Sequence, residues 1–262
     1  MANGRAGDRL RGDHAARVRV VDRVGLIGRR ALAVLAAAAV VSAASLASAA
    51  PRVEERSLLG ESYEGRPIRV FHEGDPEDVR ILVVGCIHGD ECAGARIADR
   101  LLAGSPRHFV DLWVLRNLNP DGRAAQSRVN SRGVDLNRNF PFGWEPGPHG
   151  RYYPGRRPLS ERESRIAARL IDAIEPDVTI WFHQPLALVD RSGGDVAVQR
   201  RYARLVGLPL VHLGRFNGTA TSWQNHTYGD STAFVVELPG GPLAPRDAGR
   251  FANAVFDLAR TL

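Results

Sequence analysis

The sequence predicts an α/β layered fold with a largely parallel sheet, and three observations lead to that class. Residues 81–85 (ILVVG) form a continuous apolar run bounded by turns, which is typical of a strand buried on both faces. Predicted strands then alternate with segments that carry alanine and leucine at helical spacing, the order that builds helices onto a parallel sheet. At 262 residues, with 44% hydrophobic and 24% charged residues, the chain has the composition of one globular domain.

The elements follow one another along the chain. Ser160 and Glu163 are expected to form a capping box for an amphipathic helix that runs to Ile174, where Pro176 stops it. The other predicted elements, in order, are a two-stranded start at 60–73, a strand at 81–85, a helix at 91–102, strands at 109–115 and 178–182, a helix at 196–206, a strand at 234–238 and a closing helix at 248–262.

Two features of this order indicate where a site would lie. Sheets of this kind bind ligands at the carboxyl ends of their strands. In addition, residues 117–159 form a long stretch rich in glycine, proline and asparagine, and connections of this length in compact domains are usually functional.

The strongly basic balance of the chain belongs to its N-terminal segment. All 35 basic residues are arginine, and residues 1–50 hold eight of them against three acidic residues. The rest of the chain holds 27 arginines against 26 acidic residues, so its net charge is close to zero. Because a nucleic-acid-binding protein keeps its basic surface on the folded domain, we expect no nucleic-acid partner.

Residues 1–49 have the three-part pattern of a secretory signal peptide with a long basic n-region. Arg29 and Arg30 precede an apolar, alanine-rich run at 31–41, and residues 47–49 (ASA) fit a cleavage site. We therefore expect one folded domain at 50–262, secreted or in the cell envelope, with no stable membrane insertion after cleavage. An uncleaved anchor is the alternative, although its alanines and serines make it weak.

The two cysteines, Cys86 and Cys92, lie six residues apart across a predicted strand-to-helix turn. Export favours a disulfide, and such a turn can bring the two Cα atoms within the roughly 7 Å that a bridge requires. Two buried free thiols are the alternative that the sequence leaves open.

A candidate metal site lies where two predicted strands end. His88 and Glu91 form an H-x-x-E pattern after the strand at 81–85, and His183 directly follows the apolar run at 178–182. Catalytic zinc takes imidazole and carboxylate ligands and keeps one position for water. Some H-x-x-E match arises by chance in roughly one such chain in three. The position of both histidines at strand ends therefore favours the metal site over a structural role for His183.

The motifs and their order resemble the zinc metallocarboxypeptidases of the carboxypeptidase A and B superfamily, the funnelins. His88 and Glu91 match the first ligand pair, and residues 119–122 (NPDG) match the turn after the second core strand. Residues 133–140 (GVDLNRNF) are the most specific match. The resemblance covers the chain from about residue 58 to its end. It implies a three-layer α/β/α fold with a mostly parallel mixed central sheet, one catalytic domain and one zinc ion.

The resemblance also implies roles for single residues. His183 would be the third metal ligand, and Asp135 would orient His88 through its second ring nitrogen. Asn137 and Arg138 would hold the terminal carboxylate of the substrate, which a guanidinium binds in a bidentate manner.

Two more matches bear on the reacting atoms. Arg128 would polarise the scissile carbonyl. Glu237, in the segment AFVVELP, would act as general base. As a purely structural ion-pair residue, Glu237 would be costly to bury between apolar neighbours. Tyr228 lies too close to Glu237 for the mobile tyrosine of the digestive enzymes, so we expect a structural role for it.

Residues 218–223 (GTATSW), the R-V-N segment at 128–130 and the compact length resemble the bacterial murein peptide amidase branch. Enzymes of that branch cut the bond between γ-D-glutamate and diaminopimelate, which implies a small peptide substrate with a free C-terminal carboxylate. The alternatives are a general L-amino-acid carboxypeptidase, an acylase of the succinylglutamate desuccinylase and aspartoacylase type, and an inactive carboxylate-binding wall protein. We expect the residue that selects the side chain between residues 205 and 232.

Overall fold

Eight strands form one mixed sheet in the computed structural model, which describes residues 55–104, 107–214 and 216–262. The predicted signal peptide at 1–49 and the predicted start of the domain at residue 50 lie outside these ranges. Across the sheet the order is β1 (Glu55–Glu61), β2 (Pro67–Glu73), β4 (Asp111–Leu115), β3 (Arg80–Val84), β5 (Val178–His183), β8 (Thr232–Pro239), β6 (Leu186–Asp190) and β7 (Leu210–Val211).

Four parallel strands form the centre of this sheet. β4, β3, β5 and β8 run in the same direction, while β2 joins one side and β6 joins the other side in antiparallel pairing. The carboxyl ends of the four central strands therefore meet at one edge, which is where a parallel sheet binds ligands.

Helices cover both faces of the sheet. Side chains alternate along a strand, so Ile81 and Val83 enter one apolar core while Leu82 and Val84 enter the other. On the first face lie α1 (Gly94–Leu102), α4 (Val196–Val206) and α6 (Pro245–Ala259); on the second lie α3 (Arg162–Ile174) and α5 (Ala220–Thr227). The predicted three-layer α/β/α fold with a mixed, mainly parallel central sheet is confirmed.

The long connection predicted at 117–159 is packed against the sheet and contains α2 (Pro120–Ala124) and a 3₁₀ turn at Leu136–Arg138. The side chain of Asn139 anchors it, because its Nδ2 donates to the Pro154 and Arg157 carbonyl oxygens and its Oδ1 accepts from the Glu161 amide. Buried Asp121 adds a second anchor by accepting from Ser62 Oγ at 2.6 Å.

Two predicted helix starts are wrong. The predicted capping box does not form, since α3 begins at Arg162 with Glu161 at the N-cap. Ser160 Oγ donates to Glu161 Oε1 instead, and the Glu163 carboxylate accepts from Asn130 Nδ2 at 3.3 Å. α1 begins at Gly94, three residues later than predicted, which leaves Glu91 in the preceding turn.

None of the helices in the described ranges has both the length and the apolar composition of a membrane span.

The turn between β3 and α1 rests directly on α2. A Cβ atom at Gly89 would overlap the carbonyl group of Gly122, a backbone group that cannot rotate away. Gly89→Ala is therefore expected to lower the free energy of unfolding by about 2 kcal/mol, the cost of overpacking a filled interior. Urea unfolding with a constant slope would measure this change.

Gly229→Ala is the matched control, since a Cβ there would have no heavy atom within 4 Å. Its effect should stay within about 1 kcal/mol, the usual range for such a change at an unstrained site. Equal effects of the two substitutions would contradict the predicted contact between Gly89 and α2.

Candidate active site

The candidate site lies at the carboxyl ends of three central strands. His88 lies four residues beyond the end of β3, and His183 is the last residue of β5. Glu237 lies on β8 in register with His183. His183 and Glu237 stand on the same sheet face as Trp181 and Val235, because residues two apart in a strand share a face.

Three side chains converge on one point of this edge. Glu91 Oε2 lies 3.0 Å from His88 Nδ1 and 3.2 Å from His183 Nδ1. One nitrogen of each histidine and one carboxylate oxygen of Glu91 all lie within 4.8 Å of one another. Both histidines are buried, and Nε2 of His183 has no hydrogen-bond partner among the described residues. The chemistry of this set, two imidazoles and one carboxylate, is that of a zinc site.

A second layer of polar groups fixes these three side chains. Asp135 Oδ1 lies 3.0 Å from His88 Nε2, so it holds the ring with Nδ1 towards Glu91. Arg128 bridges the two acids, with Nη1 donating to Glu91 Oε1 at 2.8 Å and Nε donating to Asp135 Oδ2 at 2.9 Å.

Burial and charge set the protonation of the buried groups. Burial lowers the pKa of His183 to about 4, and the positive charge of His88 adds to this effect, so His183 is neutral at pH 7. Burial also acts to lower the pKa of His88, but hydrogen bonds to Asp135 and Glu91 outweigh it and raise the pKa above its ordinary value. Burial opposes ionisation of Glu91, yet the bonds from His183 and His88 bring its pKa well below the usual range.

Glu237 has a different environment. Its carboxylate is half-buried, and the nearest amide donor, Leu186 N, lies 3.5 Å from Oε2. Burial raises the pKa of Glu237 to about 7, and the negative charge of Glu91 contributes in the same direction. A carboxyl group with a pKa near neutrality can both accept and release a proton at physiological pH.

The 3₁₀ turn presents Asn137 and Arg138 to the same space. Asn137 Oδ1 accepts from the Ala220 amide at 3.0 Å, which fixes the side chain at the start of α5. Arg138 donates from Nη1 to the Asn137 carbonyl oxygen and lies over the Phe216 and Tyr152 rings at 4.9 and 5.8 Å. No carboxylate of the described residues pairs with Arg138, and its guanidinium lines the cleft.

All these groups line or border one cleft of about 1220 Å³. Exposed Tyr152 and Phe216 form part of its rim, and Asp190, Thr221 and Asn225 line it elsewhere. Tyr228 is not among the lining residues; its hydroxyl donates to Asp172 at 3.0 Å and its ring packs edge-on against Trp223.

A disulfide joins Cys86 to Cys92, with the two Cα atoms 4.8 Å apart. The sequence left open a disulfide or two buried free thiols, and the structure contains the disulfide. It encloses His88 and Glu91, so the short loop that carries both side chains is closed by a covalent bond.

The structure thus places all eight predicted site residues in one region: His88, Glu91, Arg128, Asp135, Asn137, Arg138, His183 and Glu237. Sequence reasoning missed Tyr152, Phe216 and Asp190. Tyr152 and Phe216 lie in irregular segments with no periodic pattern. For Asp190 a signal existed, since the apolar segment 186–189 ends on it as a strand would.

The profile of the zinc carboxypeptidase family, peptidase M14, matches residues 41–189, more than half of the chain. The chain belongs to the zinc carboxypeptidase family. The zinc dependence expected from the resemblance follows from this membership, as does C-terminal cleavage of peptide substrates. The protein is a zinc peptide hydrolase. Family membership therefore favours a peptidase over the acylase and the inactive wall protein.

Sequence and structure comparisons agree on the branch. Murein peptide amidase A of Vibrio campbellii is 30% identical over 213 residues, which cover 72% of this zinc carboxypeptidase and 84% of the relative. The crystal structure of murein-tripeptide amidase MpaA from Escherichia coli O157 superposes with a TM-score of 0.66 at 27% identity, over 80% of this chain and 96% of that one. The predicted resemblance to the murein peptide amidase branch is confirmed.

More distant relatives share the fold. Carboxypeptidase A from Helicoverpa armigera superposes with a TM-score of 0.68 at 16% identity, over 80% of this chain and 68% of that one.

The raised pKa of Glu237 predicts how the stability of the metal-free protein depends on pH. Between its ordinary value of 4.5 and about 7, the folded protein keeps a proton that the unfolded chain has released. The resulting stabilisation is complete below pH 4.5 and is lost as the pH rises through about 7. Glu237→Gln never ionises, so the stability of the variant relative to the original should increase from pH 5 to pH 8.

Chemical unfolding of both proteins at several pH values, after removal of metal, measures this difference. Glu145→Gln, which removes an exposed carboxylate outside the cleft, controls for the loss of one negative charge. A Glu237→Gln difference that stays constant with pH would contradict the expected burial effect.

Proposed function

We propose that this protein is an exported zinc peptidase that releases diaminopimelate from L-Ala-γ-D-Glu-diaminopimelate in cell-wall peptides. The observation that carries the proposal is the similarity to murein peptide amidase A over 84% of that relative, together with the converging side chains at the sheet edge. Export rests on the signal-peptide pattern at residues 1–49.

His88, Glu91 and His183 are the metal ligands of this proposal. The fit is supported by the donor set itself and by the Asp135 bond that turns His88 Nδ1 towards Glu91. A metal ligand must be deprotonated, so zinc would displace any proton that either imidazole holds in the metal-free protein. Zinc held there supplies Lewis acidity and lowers the pKa of a bound water molecule.

Glu237 is the general base. It stands in register with His183 at the cleft, and its carboxylate is only weakly hydrogen-bonded, which suits a group that takes a proton and then returns it. Glu237 accepts the proton of the attacking water and passes it to the leaving amine.

Positive and polar groups of the cleft bind two groups of the substrate: its terminal carboxylate and the carbonyl oxygen of the scissile bond. Arg138 and Asn137 hold the terminal carboxylate. Arg138 has no anionic partner among the described residues. Asn137 accepts from the Ala220 amide with Oδ1, which leaves its Nδ2 group to donate to the substrate. Arg128 donates from Nε and Nη1 to Asp135 and Glu91, which leaves its second Nη nitrogen for the scissile carbonyl oxygen in this proposal. Such preorganised donors stabilise the negative charge that develops there.

A hydrolysis assay on residues 50–262 tests the proposed reaction. L-Ala-γ-D-Glu-diaminopimelate and ordinary peptides with varied C-terminal residues are offered with and without a chelator. We expect release of diaminopimelate from the first substrate, loss of activity with the chelator, and recovery when zinc is added. Chelator-sensitive release of common L-amino acids instead would make the protein a general carboxypeptidase.

The role of Glu237 is tested by Glu237→Gln. The variant is expected to bind one equivalent of zinc as the original protein does, because the substituted side chain is not a ligand. Its kcat should fall by about 100-fold or more, the usual contribution of a positioned general base. His183→Ala is the contrasting variant, which should lose both zinc and activity. Retained hydrolysis by Glu237→Gln would refute the assignment.

A further inference from the structure

One buried carboxylate in the cleft has no part in the reaction described above. Asp190 ends β6 and pairs with Val235 of β8, two residues before Glu237. Side chains directly opposite in an antiparallel pair share a face, as do residues two apart in one strand. Asp190 and Glu237 therefore stand on the same face of the sheet, about 7 Å apart along the strands.

The surroundings of Asp190 leave its charge uncompensated. Its side chain accepts from Ser192 Oγ at 2.8 Å and from the Leu213 amide at 2.9 Å. Only 7% of the residue is exposed, and no ion pair reaches it within the described ranges. Arg191 and His212 line the same cleft but form no ion pair with it. A buried carboxylate without a cationic partner is costly, unless a ligand supplies the cation.

The position of Asp190 relative to the reaction defines what can reach it. In the proposed function, a substrate whose terminal carboxylate is held at Arg138 and whose scissile bond lies beside Glu237 would extend its last side chain into the part of the cleft that Thr221, Val235 and Asp190 line. Asp190 lies about 7 Å from Glu237 along the strands, so only a side chain of several carbons would reach it. The Asp190 carboxylate would bind a positively charged group on that side chain.

We propose that Asp190 selects substrates by binding a primary amine on the C-terminal side chain. This inference rests on the proposed function, because it takes the direction of the substrate from it. Diaminopimelate carries such an amine on the fourth carbon beyond its Cα, next to a second carboxylate, and lysine carries an amine alone at the same position. The selecting residue would then lie outside the range predicted from the sequence, residues 205–232.

The test compares kcat/KM for two pairs of substrates that differ at the amine. The first pair is L-Ala-γ-D-Glu-diaminopimelate and the same peptide ending in 2-aminopimelate, which lacks only the second amine. The second pair is an N-blocked dipeptide ending in lysine or in norleucine. We expect the original protein to prefer the amine-bearing member by roughly 10- to 100-fold, the range of a hydrogen bond to a charged group.

Asp190→Asn keeps the size of the side chain and an oxygen that can accept from the Leu213 amide, while its NH2 group can donate to Ser192 Oγ; it should reduce that preference to less than about threefold. Asp195→Asn is the matched control: it removes a nearby exposed carboxylate outside the cleft, and asparagine can keep the N-cap of α4. This control should keep the preference of the original protein. Circular dichroism and thermal unfolding confirm that both variants are folded.

The outcomes separate the two proposals. Equal rates for both members of each pair in the original protein would overturn the role of Asp190, whether or not Asp190→Asn folds. Retention of the preference in Asp190→Asn would overturn it as well. An Asp190-dependent preference for lysine, without hydrolysis of either murein peptide, would support the role of Asp190 and contradict the proposed murein substrate. No hydrolysis of any of the four would overturn both.

Discussion

The site depends on one carboxylate, Glu91, that three buried or half-buried donors share. His88 and His183 approach its Oε2, while Arg128 binds its Oε1. These residues come from a turn, a strand end and the long connection, so the network forms only when all three segments are in place. Charges this deeply buried are stable only with their partners, and loss of one partner leaves the others uncompensated. In the metal-free protein, burial raises the pKa of Glu237 and the negative charge of Glu91 adds to this effect, so Glu91 also influences the proposed base.

Close backbone approach makes that convergence possible. A Cβ atom on Gly94 would collide with the Gly85 carbonyl oxygen and with Phe182, so α1 can pack this near to β3 and β5 only without a side chain there. The turn between Gly85 and Gly94 is then closed by the Cys86–Cys92 bond. A loop held at both ends loses little further conformational entropy when its side chains take up their final positions. Covalent closure and glycine packing together preorganise the part of the site that carries His88 and Glu91.

The sequence predicted the layers and the strand ends because both depend on local patterns. Buried strands such as β3 and β5 appear as continuous apolar runs, and parallel packing then requires their carboxyl ends to meet. It could not predict the start of α3, where Asn139 and Asn130 draw Ser160 and Glu163 into contacts from distant segments. Such tertiary hydrogen bonds leave no periodic signal. The roles of Arg128 and Arg138 came from family resemblance, since their partners lie in a loop without regular structure.

Hydrogen bonding distinguishes the two carboxylates that share one face of β6 and β8. Asp190 accepts from Ser192 and Leu213 at ordinary distances, so its oxygens have fixed positions before any ligand arrives. Among the described residues, Glu237 accepts only from the Leu186 amide, at 3.5 Å, and burial favours its protonated form. An acceptor in a fixed position suits recognition of a protonated amine, whereas a weakly hydrogen-bonded carboxyl group is free to gain and lose a proton. Two side chains of the same chemical type, about 7 Å apart on one sheet, are thereby suited to selection and to catalysis.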